Sequence, residues 1–384
     1  MKTVSILGST GSVGQSTVDL IAANPAQFRV VALTAQKNVA LLAEQARKLN
    51  AAHAVIGDES LYDALKQALA GTQTTVAAGA DAVVEAARMP AQWVMAAIVG
   101  IAGLRPTLAA IEQGGVVALA NKESLVCAGA LMLAAVAQHG TTLLPVDSEH
   151  NAVFQVLDPK ARAHVKRVIL TASGGPFLNR PLETLGEVTP QEAVKHPTWA
   201  MGAKISVDSA TMMNKALEVI EAMYLFDLPM SQIEVRIHPQ SIIHAMVEYQ
   251  DGSVLSQMGA SDMRTPIAHA LAWPQRIVTT GATLDLNNKI SIDIQVPDFK
   301  RFEALELVRG IEGDETGMAV AFNAANEVAV AQFLAGQRRF DTIVPLVARV
   351  MREWPEICPG SAPVMVDDVF TLDAIARTLA ESAG

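Results

Sequence analysis

Apolar and polar positions along the first 146 residues follow a pattern that predicts strands alternating with helices. Short apolar runs at residues 4–7 and 30–33 are bounded by turn formers and read as strands. Between such runs the apolar positions recur with a helical period. This alternation implies a doubly wound parallel sheet with right-handed crossovers, an α/β fold. Further strands are predicted at 54–56, 93–96, 116–119 and 142–146, and helices at 14–23, 38–49, 58–70, 103–113 and 124–139.

After Pro145 the strands no longer alternate regularly with helices. Predicted strands at 245–249 and 254–258 form a hairpin, because an Asp-Gly pair lies between them. Residues rich in turn formers then read as a connection, and the periodicity becomes helical near the C-terminus. The predicted division is a parallel-sheet domain at residues 1–147, an α+β domain at 148–274, a connecting segment at 275–308 and a small helical C-terminal domain at 309–384.

Composition and charge exclude several kinds of partner. The 384 residues carry a formal net charge of −10, so the summed field repels nucleic acid and anionic membrane surfaces. The longest apolar run, residues 125–137, is shorter than the roughly 20 residues of a spanning helix. A predicted strand begins almost at Met1, which leaves no room for a signal peptide. Cys127 and Cys358 have no metal-binding spacing, which fits a reduced, cytoplasmic protein.

A glycine-rich turn follows the first predicted strand. Gly8, Gly11 and Gly14 are spaced as GxxGxxG between a strand and an amphipathic helix, the context in which backbone amides bind a pyrophosphate. The spacing differs from the common GxGxxG, and such a turn can also be purely structural. Its position at the start of the alternating series favours a dinucleotide-binding, Rossmann-like domain.

The end of the second predicted strand indicates which dinucleotide is bound. NAD-binding domains usually place an acidic residue there for the ribose hydroxyls, and residues 32–38 include none. Lys37 is present instead, and its cation suits a 2′-phosphate. The sequence therefore favours NADPH over NADH, with a solvated lysine at a helix start as the alternative.

Two carboxylates at the end of a strand are candidate metal ligands. Asp147 and Glu149 follow the strand at 142–146 and lie on one side of the chain if its extended geometry continues. Hard carboxylate oxygens at the carboxyl edge of a sheet suit Mg²⁺ or Mn²⁺. The alternative is a helix N-terminus whose acidic residues only complement the dipole.

A predicted helix that includes residues 209–218 supplies a third carboxylate. Asn214 and Lys215 share a face with Glu218, and the opposite face is apolar. An amide, an ammonium group and a carboxylate on one face suit a phosphorylated sugar beside a metal ion. An exposed polar face with a Lys–Glu pair is the alternative.

Two loops complete the candidate site. Ser173 lies in a Ser-Gly-Gly turn after a strand, and it either offers a hydroxyl to a phosphate or belongs to a plain turn. Residues 196–202, from His196 to Gly202, read as a loop that holds Trp199 and can close as a lid with glycine as its hinge. A tryptophan packed in a surface loop is the alternative.

At these residues the sequence resembles the 1-deoxy-D-xylulose 5-phosphate reductoisomerase family, along nearly the whole chain. Several strings in fixed order are far more specific than any one of them. The matching strings are residues 8–14, 119–125 (Leu-Ala-Asn-Lys-Glu-Ser-Leu), 145–151 (Pro-Val-Asp-Ser-Glu-His-Asn), 173–177 (Ser-Gly-Gly-Pro-Phe), 196–202, 204–218 and 238–241 (His-Pro-Gln-Ser).

The resemblance implies a role for each matching residue. The implied NADPH contacts are Thr10, Gly11, Ser12, Val13, Lys37, Asn38, Asn121, Glu123 and Gly202. The implied ligands of a divalent ion, Mg²⁺, Mn²⁺ or Co²⁺, are Asp147, Glu149 and Glu218. The implied substrate contacts are Lys122, Ser148, Glu149, Ser173, His196, Ser209, Asn214, Lys215 and Glu218. The implied catalytic residues are Lys122, Asp147, Glu149 and Glu218.

The resemblance also implies the reaction and the assembly. The reaction is the NADPH- and metal-dependent conversion of a small phosphorylated ketose, 1-deoxy-D-xylulose 5-phosphate, to 2-C-methyl-D-erythritol 4-phosphate, a step of isoprenoid precursor biosynthesis by the methylerythritol phosphate pathway. The assembly is a V-shaped homodimer paired through the sheet of the catalytic and dimerisation domain, residues 148–274. Two departures are Gln36, where the family often has glycine, and the short segment 158–166.

Two other functions fit parts of the sequence. A semialdehyde dehydrogenase shares the GxxGxxG start but needs a nucleophilic cysteine, and Cys127 lies in an apolar predicted helix with no paired histidine. A non-catalytic NADPH-binding regulator would leave the carboxylates, Lys215 and the Ser173 turn without a role.

Overall fold

A computed structural model describes residues 1–199, 201–313, 316–360 and 362–383, and the chain forms two compact units. Unit 1 comprises Met1–Ser124, Ala130–Asn151 and Asp262–Ala282. Unit 2 comprises Leu125–Gly129, Ala152–Ser261 and Thr283–Gly384. This division does not test the four segments predicted from the sequence, which stay a prediction.

Strands and helices account for most of the described chain. The strands are β1 (Lys2–Leu7), β2 (Phe28–Ala35), β3 (His53–Ile56), β4 (Thr75–Ala78), β5 (Trp93–Ala96), β6 (Val116–Leu119), β7 (Thr142–Pro145), β8 (Val165–Ala172), β9 (Ile233–Ile237), β10 (Ile243–Tyr249) and β11 (Val254–Met258). The helices are α1 (Ser12–Ala23), α2 (Val39–Leu49), α3 (Tyr62–Ala68), α4 (Ala80–Arg88), α5 (Leu104–Ile111), α6 (Lys122–His139), α7 (Ser148–Val156), α8 (Pro190–Ala193), α9 (Ala203–Thr211), α10 (Met213–Phe226), α11 (Arg264–Ala272), α12 (Ala304–Leu307), α13 (Met318–Leu334), α14 (Ile343–Ile357) and α15 (Val366–Ser382).

Unit 1 is built on a parallel sheet of seven strands, in the order β4-β3-β2-β1-β5-β6-β7. The predicted strands are continuous apolar runs because helices cover both faces of such a sheet. The order reverses at β1, which pairs with both β2 and β5. Ligands of open parallel sheets bind beyond the carboxyl ends of the strands beside such a reversal. The segments that follow β1 and β5 therefore mark the expected nucleotide site.

Unit 2 contains a mixed sheet in the order β11-β10-β8-β9 and the C-terminal helices. The predicted hairpin is confirmed, since β10 and β11 pair antiparallel. β8 pairs antiparallel with β10 and parallel with β9, so β8 and β9 end at the same edge. Large buried side chains of the C-terminal helices, such as Phe322, Phe333 and Trp354, share one apolar core with this sheet.

Candidate active site

Glycines shape the turn after β1. Gly8 has a φ of +87°, and a Cβ there would lie 2.6 Å from the carbonyl oxygen of Ala97, which follows β5. A Cβ on Gly14 would lie 2.2 Å from the carbonyl oxygen of Gly8. Both distances are too short for any side chain. The packing of the turn itself therefore requires these two glycines.

Gly11 has a different role at the N-cap of α1. A Cβ there would have the carbonyl oxygen of Gly8 as its nearest neighbour, 3.5 Å away, so the position has room. Within the described chain no side chain caps this helix. Its first amides and the positive end of its dipole are thus open to an anion. Of the predicted cofactor contacts here, Gly11 and Ser12 are exposed, and Thr10 and Val13 are half-buried.

The residues after β2 provide a cation and a helix cap. The Lys37 side chain is 75% exposed, and its Nζ lies 4.0 Å from the carboxylate of Asp58. Hydrogen bonds from Ser60 lower the pKa of Asp58. Asn38 accepts a hydrogen bond from the backbone N–H of Leu41 at 3.1 Å and caps α2. The Lys37 ammonium group is therefore largely exposed at this edge, while the Asn38 side chain caps a helix.

Gln36 is accommodated by a glycine on the next strand connection. A Cβ on Gly57 would lie 2.3 Å from Oε1 of Gln36, so the glutamine side chain packs directly over Gly57. The carbonyl oxygen of Gln36 accepts a hydrogen bond from the N–H of Asp58 at 3.0 Å. This departure from the family pattern is thus packed into the fold beside Lys37.

Asn121 links the segment after β5 to the start of α6. Its Oδ1 accepts a hydrogen bond from the N–H of Ser124 at 2.9 Å, which caps α6. Its Nδ2 donates to the carbonyl oxygens of Ile98 and Gly100. Asn121 therefore fixes this backbone beside the glycine turn, and Glu123 in the first turn of α6 is buried.

Lys122 and Asp147 form an ion pair at the carboxyl ends of β6 and β7. These strands are parallel neighbours, so residues far apart in the sequence meet where the strands end. The side chains are 7% and 17% exposed, and Nζ of Lys122 donates to Oδ2 of Asp147. The ammonium group thus balances a carboxylate that was predicted to bind a metal ion.

The extended geometry that would place Asp147 and Glu149 on one side of a strand does not continue to Glu149. β7 ends at Pro145, and the N–H of Asn151 donates to the carbonyl oxygen of Asp147 at 2.8 Å, which closes the first turn of α7. Glu149 lies in that turn, where Oγ of Ser148 donates to its Oε2 at 2.6 Å. The alternative, in which the acidic residues lie at a helix N-terminus, describes the backbone correctly. Carboxylate oxygens in this position can still bind an ion.

In unit 2, the Ser173 turn packs against α9. A Cβ on Gly175 would lie 2.8 Å from Cα of Ala210, next to Ser209. The N–H of Gly175 donates to Oγ of Ser173 at 3.1 Å, and Nε2 of His196 lies 2.8 Å from the same oxygen. The turn therefore brings together Ser173, His196 and Ser209, three residues that the resemblance implies as substrate contacts.

The partners of His196 determine its tautomer. Nδ1 accepts hydrogen bonds from the N–H groups of Thr198 at 3.2 Å and Trp199 at 3.0 Å, so the ring hydrogen is on Nε2. Burial lowers the pKa of His196, which favours this neutral form. Ser173 therefore accepts from both His196 and Gly175, and its own hydroxyl proton is left to point towards another acceptor. Of the predicted lid, residue 200 lies outside the described residues, and its movement stays a prediction.

The predicted helix through residues 209–218 is in fact two helices. Met212 has a φ of +63° and separates α9, which carries Ser209, from α10. A residue with a positive φ cannot continue a right-handed helix. The break is local, because Met212 is buried in the apolar core of unit 2 and α10 starts at the next residue.

Glu218 is held by the two residues predicted to share its face. Nδ2 of Asn214 donates to Oε1 of Glu218 at 2.5 Å, and Nζ of Lys215 donates to Oε2. The side chains of Lys215 and Glu218 are 3% and 1% exposed. The alternative of an exposed polar face is therefore wrong, and α10 carries a buried ion pair.

Sequence reasoning missed two polar residues near these loops. The ring of His244 lies 5.9 Å from that of Trp199. The buried carboxylate of Asp208 accepts from Nζ of Lys204 at 2.9 Å and from Nδ2 of Asn326 at 2.8 Å, which anchors α9 to α13. A histidine inside the apolar strand β10 was a usable signal. No sequence pattern distinguished Asp208 from a solvent-exposed helix residue.

Family models match most of the chain. They describe 1-deoxy-D-xylulose 5-phosphate reductoisomerase at residues 4–129, its C-terminal domain at 143–226 and a DXP reductoisomerase C-terminal domain at 258–379. The curated enzyme of that name from Zymomonas mobilis is 54% identical over 98% of this chain and 96% of its own length. The one from Rhodospirillum centenum is 56% identical, over 99% and 94%. The chain belongs to the 1-deoxy-D-xylulose 5-phosphate reductoisomerase family.

Solved structures of reductoisomerases have the same fold. The Zymomonas mobilis enzyme in complex with NADPH has a TM-score of 0.93 and 52% identity, over 99% of this chain and 98% of that one. A DOX-P reductoisomerase with NADPH, fosmidomycin and magnesium has a TM-score of 0.95 and 40% identity, over 100% and 98%. The predicted family, enzyme class and Rossmann-like α/β fold, followed by an α+β part and a helical C-terminal part, are confirmed. The cofactors named with these relatives are those predicted from the sequence.

Proposed function

We propose that the chain converts 1-deoxy-D-xylulose 5-phosphate to 2-C-methyl-D-erythritol 4-phosphate, with NADPH and a divalent metal ion. Membership of the family supports the reaction. The observation that carries the assignment of residues is that each unit pairs a lysine with a carboxylate, Lys122 with Asp147 and Lys215 with Glu218. A metal ion can bind the carboxylates, and a phosphate can bind the lysines.

NADPH is proposed to bind at the carboxyl edge of the parallel sheet. The uncapped start of α1 at Gly11 suits the pyrophosphate, and the exposed Lys37 suits the 2′-phosphate. Asn121 supports the binding surface by fixing the segment at Gly100. The further proposed contacts are Thr10, Ser12, Val13, Asn38, Glu123 and Gly202.

The donor set fits a divalent ion. Asp147, Glu149 and Glu218 each offer a carboxylate oxygen, the ligand that Mg²⁺ and Mn²⁺ prefer. When bound, such an ion is a Lewis acid that stabilises negative charge developing on the substrate oxygens. We propose that these three residues hold one ion.

The lysines and the Ser173 region would hold the substrate. Lys215, which donates to Glu218, can turn to the substrate phosphate once a cation balances that carboxylate. Ser173 directs a hydroxyl proton away from its two donors, and Ser209 lies beside the same turn. Lys122 would stabilise negative charge on the reacting oxygens of the substrate. The remaining proposed substrate contacts are Ser148, Glu149, His196, Asn214 and Glu218.

These contacts would fix the ketose while its carbon skeleton rearranges to an aldehyde, which then accepts hydride from NADPH. Charged and hydroxyl groups around the phosphate hold the reacting carbons in one register. Closure of the loop at 196–202 would exclude water from the intermediate.

A direct assay tests the proposed reaction. Purified protein is mixed with 1-deoxy-D-xylulose 5-phosphate, NADPH and Mg²⁺ or Mn²⁺, and the absorbance of NADPH is followed with a chelator control. We expect oxidation of NADPH that requires both the ketose phosphate and the metal ion. Binding of NADPH without turnover would favour the regulator, and loss of activity on thiol blocking without unfolding would favour the dehydrogenase.

We also propose a homodimer that pairs through β11. This strand is at the edge of the mixed sheet, and Val254, Leu255 and Met258 are 50%, 47% and 39% exposed. An exposed apolar edge strand is a template for pairing with another chain. Light scattering should give the mass of a dimer for the parent and a lower mass for Leu255→Lys. Leu182→Lys, at another exposed leucine of unit 2, is the matched control, and an unchanged mass of Leu255→Lys would contradict the proposal.

The cytoplasm is the compartment that we propose. Cys127 and Cys358, both within the described residues, form no disulfide. Among the described residues no helix has the length and apolar character needed to cross a membrane. The proposed partner is a small phosphorylated ketose, and the net charge of −10 disfavours nucleic acid.

A further inference from the structure

A buried histidine outside the predicted site organises the turn between β9 and β10. Nε2 of His238 accepts hydrogen bonds from the N–H groups of Ile242 at 3.0 Å and Ile243 at 3.1 Å. Its Nδ1 lies 2.8 Å from the carbonyl oxygen of Asp293. Because Nε2 accepts, Nδ1 must carry the hydrogen and donate to Asp293. The imidazole therefore joins two backbone segments in a single tautomer.

The turn that this ring holds contains a strained residue. Ser241 has a φ of +51°, a left-handed conformation that is unfavourable for a residue with a side chain. The next two N–H groups along the chain, those of Ile242 and Ile243, are the ones that donate to His238. The ring thus fixes the direction of the backbone immediately after the strained position.

The same turn is bonded to the strand that leads into Ser173. The N–H of His238 donates to the carbonyl oxygen of Ala172 at 2.7 Å, one residue before Ser173. Oγ1 of Thr171 lies 2.6 Å from the carbonyl oxygen of Ile243 and 2.8 Å from that of His244, and its single proton is donated to this pair of acceptors. Both ends of the turn are therefore attached to the last residues of β8, which position the Ser173 turn.

The other side of the turn meets the loop that orients His196. Oγ of Ser241 lies 3.5 Å from Oγ1 of Thr198, and the ring of His244 packs at 60° to that of Trp199. The N–H groups of Thr198 and Trp199 hold Nδ1 of His196. A shift of the turn would therefore change the position of His196.

We propose that His238 is a positioning residue for the substrate phosphate. It does so by holding the strained turn, through which it aligns both the Ser173 turn and the loop that carries His196. The inference rests on the proposed function in one respect, namely that the Ser173 turn binds the phosphate of the substrate.

Two conservative variants separate the tasks of the two ring nitrogens. His238→Gln can place an acceptor oxygen near the position of Nε2, whereas His238→Asn keeps a donor near Nδ1 and leaves two N–H groups without their acceptor. Since a lost buried hydrogen bond is worth about a tenfold change or more, we expect His238→Asn to raise the KM for 1-deoxy-D-xylulose 5-phosphate about tenfold. The KM for NADPH should not change, and His238→Gln should stay within about threefold of the parent.

The split between kinetic constants excludes a merely structural effect. Partial unfolding would lower kcat by reducing the active fraction and would leave KM unchanged. An unchanged substrate KM in His238→Asn, or an equal rise in both variants, would overturn the role of His238. Ser173→Ala tests the proposed function separately: an unchanged KM in that variant contradicts the phosphate site, whatever His238 does.

The tautomer itself can be measured in the parent protein, with the spectrum of one variant used only to assign the signal. Nitrogen NMR of protein with labelled histidine rings should show a neutral ring with hydrogen on Nδ1, and its signal should be missing from the spectrum of His238→Gln. A ring with hydrogen on Nε2 could not accept from Ile242 and Ile243. That result would overturn the proposal even if neither variant could be assayed.

Discussion

The two lysine–carboxylate pairs of this enzyme differ in how the chain brings them together. Lys122 and Asp147 are 25 residues apart and meet because β6 and β7 are neighbours in the parallel sheet. Lys215 and Glu218 are one turn apart on α10 and are more deeply buried. The first pair depends on the assembly of a whole sheet, and the second depends on one helix and its burial.

Because of this difference, we expect the loss of one partner to affect the protein differently in the two ion pairs. A buried charge that loses its partner keeps its desolvation cost, so the more buried pair is the more sensitive one. The partly exposed Asp147 can regain solvation, whereas Glu218 has little access to water.

Removal of the Glu218 charge should have the largest effect on activity. Glu218→Gln keeps the shape but loses a proposed metal ligand worth several kcal/mol of charge stabilisation, so turnover with Mg²⁺ should fall about a thousandfold. Affinity for NADPH should be unchanged, as measured by fluorescence titration. Glu306→Gln, at an exposed glutamate of unit 2, is the matched control. Equal turnover in Glu218→Gln and the parent would remove Glu218 from the mechanism.

Removal of each lysine compares the two pairs directly. In metal-free protein, Lys215→Met should lower the free energy of unfolding by about 3–5 kcal/mol, because Glu218 remains buried. Lys122→Met should cost only about 1–2 kcal/mol, between the limits for surface and buried pairs. Urea denaturation gives both values, and Mg²⁺ should restore part of each loss. A larger loss of unfolding free energy in Lys122→Met than in Lys215→Met would contradict the expected order.

The glycine turn offers a similar comparison within unit 1. Gly14→Ala would force a Cβ against the carbonyl oxygen of Gly8 and should destabilise the protein by about 1–3 kcal/mol and weaken NADPH binding. Gly11→Ala has room for its Cβ and should change stability by less than about 0.5 kcal/mol. Thermal unfolding and NADPH titration measure both effects. Equal stability of the two variants would show that the turn packs differently.

The smallest expected effect is a pH dependence that arises from His196. Burial lowers its pKa below the ordinary 6.5, so the unfolded chain binds a proton at a higher pH than the folded one. The free energy of unfolding is therefore unaffected by this group above about pH 6.5, and it falls as the pH drops through 6.5 towards the lowered pKa. A proton on Nδ1 also displaces the N–H groups of Thr198 and Trp199, so the substrate KM should rise in acid. His196→Gln should lack this component, and an identical pH profile in the variant would contradict it.

The parallel-sheet part of the fold was predictable because its strands are continuous apolar runs. Residues 93–96 and 116–119 were predicted with the observed ends of β5 and β6. β4, and with it α4, was missed because the four-residue strand lies at the edge of the sheet, is only partly buried and has two alanines where a central strand has larger apolar side chains.

The candidate site residues come from motif and resemblance, and their roles stay predictions. Their local geometry could not be predicted. The helix start at Ser148 and the break at Met212 depend on tertiary packing and on a positive φ that the sequence pattern does not indicate. The buried state of Lys215 was also hidden, because a Lys–Glu spacing is the same on exposed and buried helix faces. The resemblance implies the role of each candidate site residue, and the structure shows which residues each of them contacts.

The proposed ligand set is Asp147, Glu149 and Glu218, which would hold one divalent ion. Binding of Mn²⁺, measured by the loss of its free electron paramagnetic resonance signal, tests this set in the parent and in Asp147→Asn, Glu149→Gln and Glu218→Gln. We expect one ion per chain and at least about tenfold weaker binding in each of the three variants, with Glu306→Gln unchanged. Binding in Glu218→Gln as tight as in the parent would contradict this ligand set.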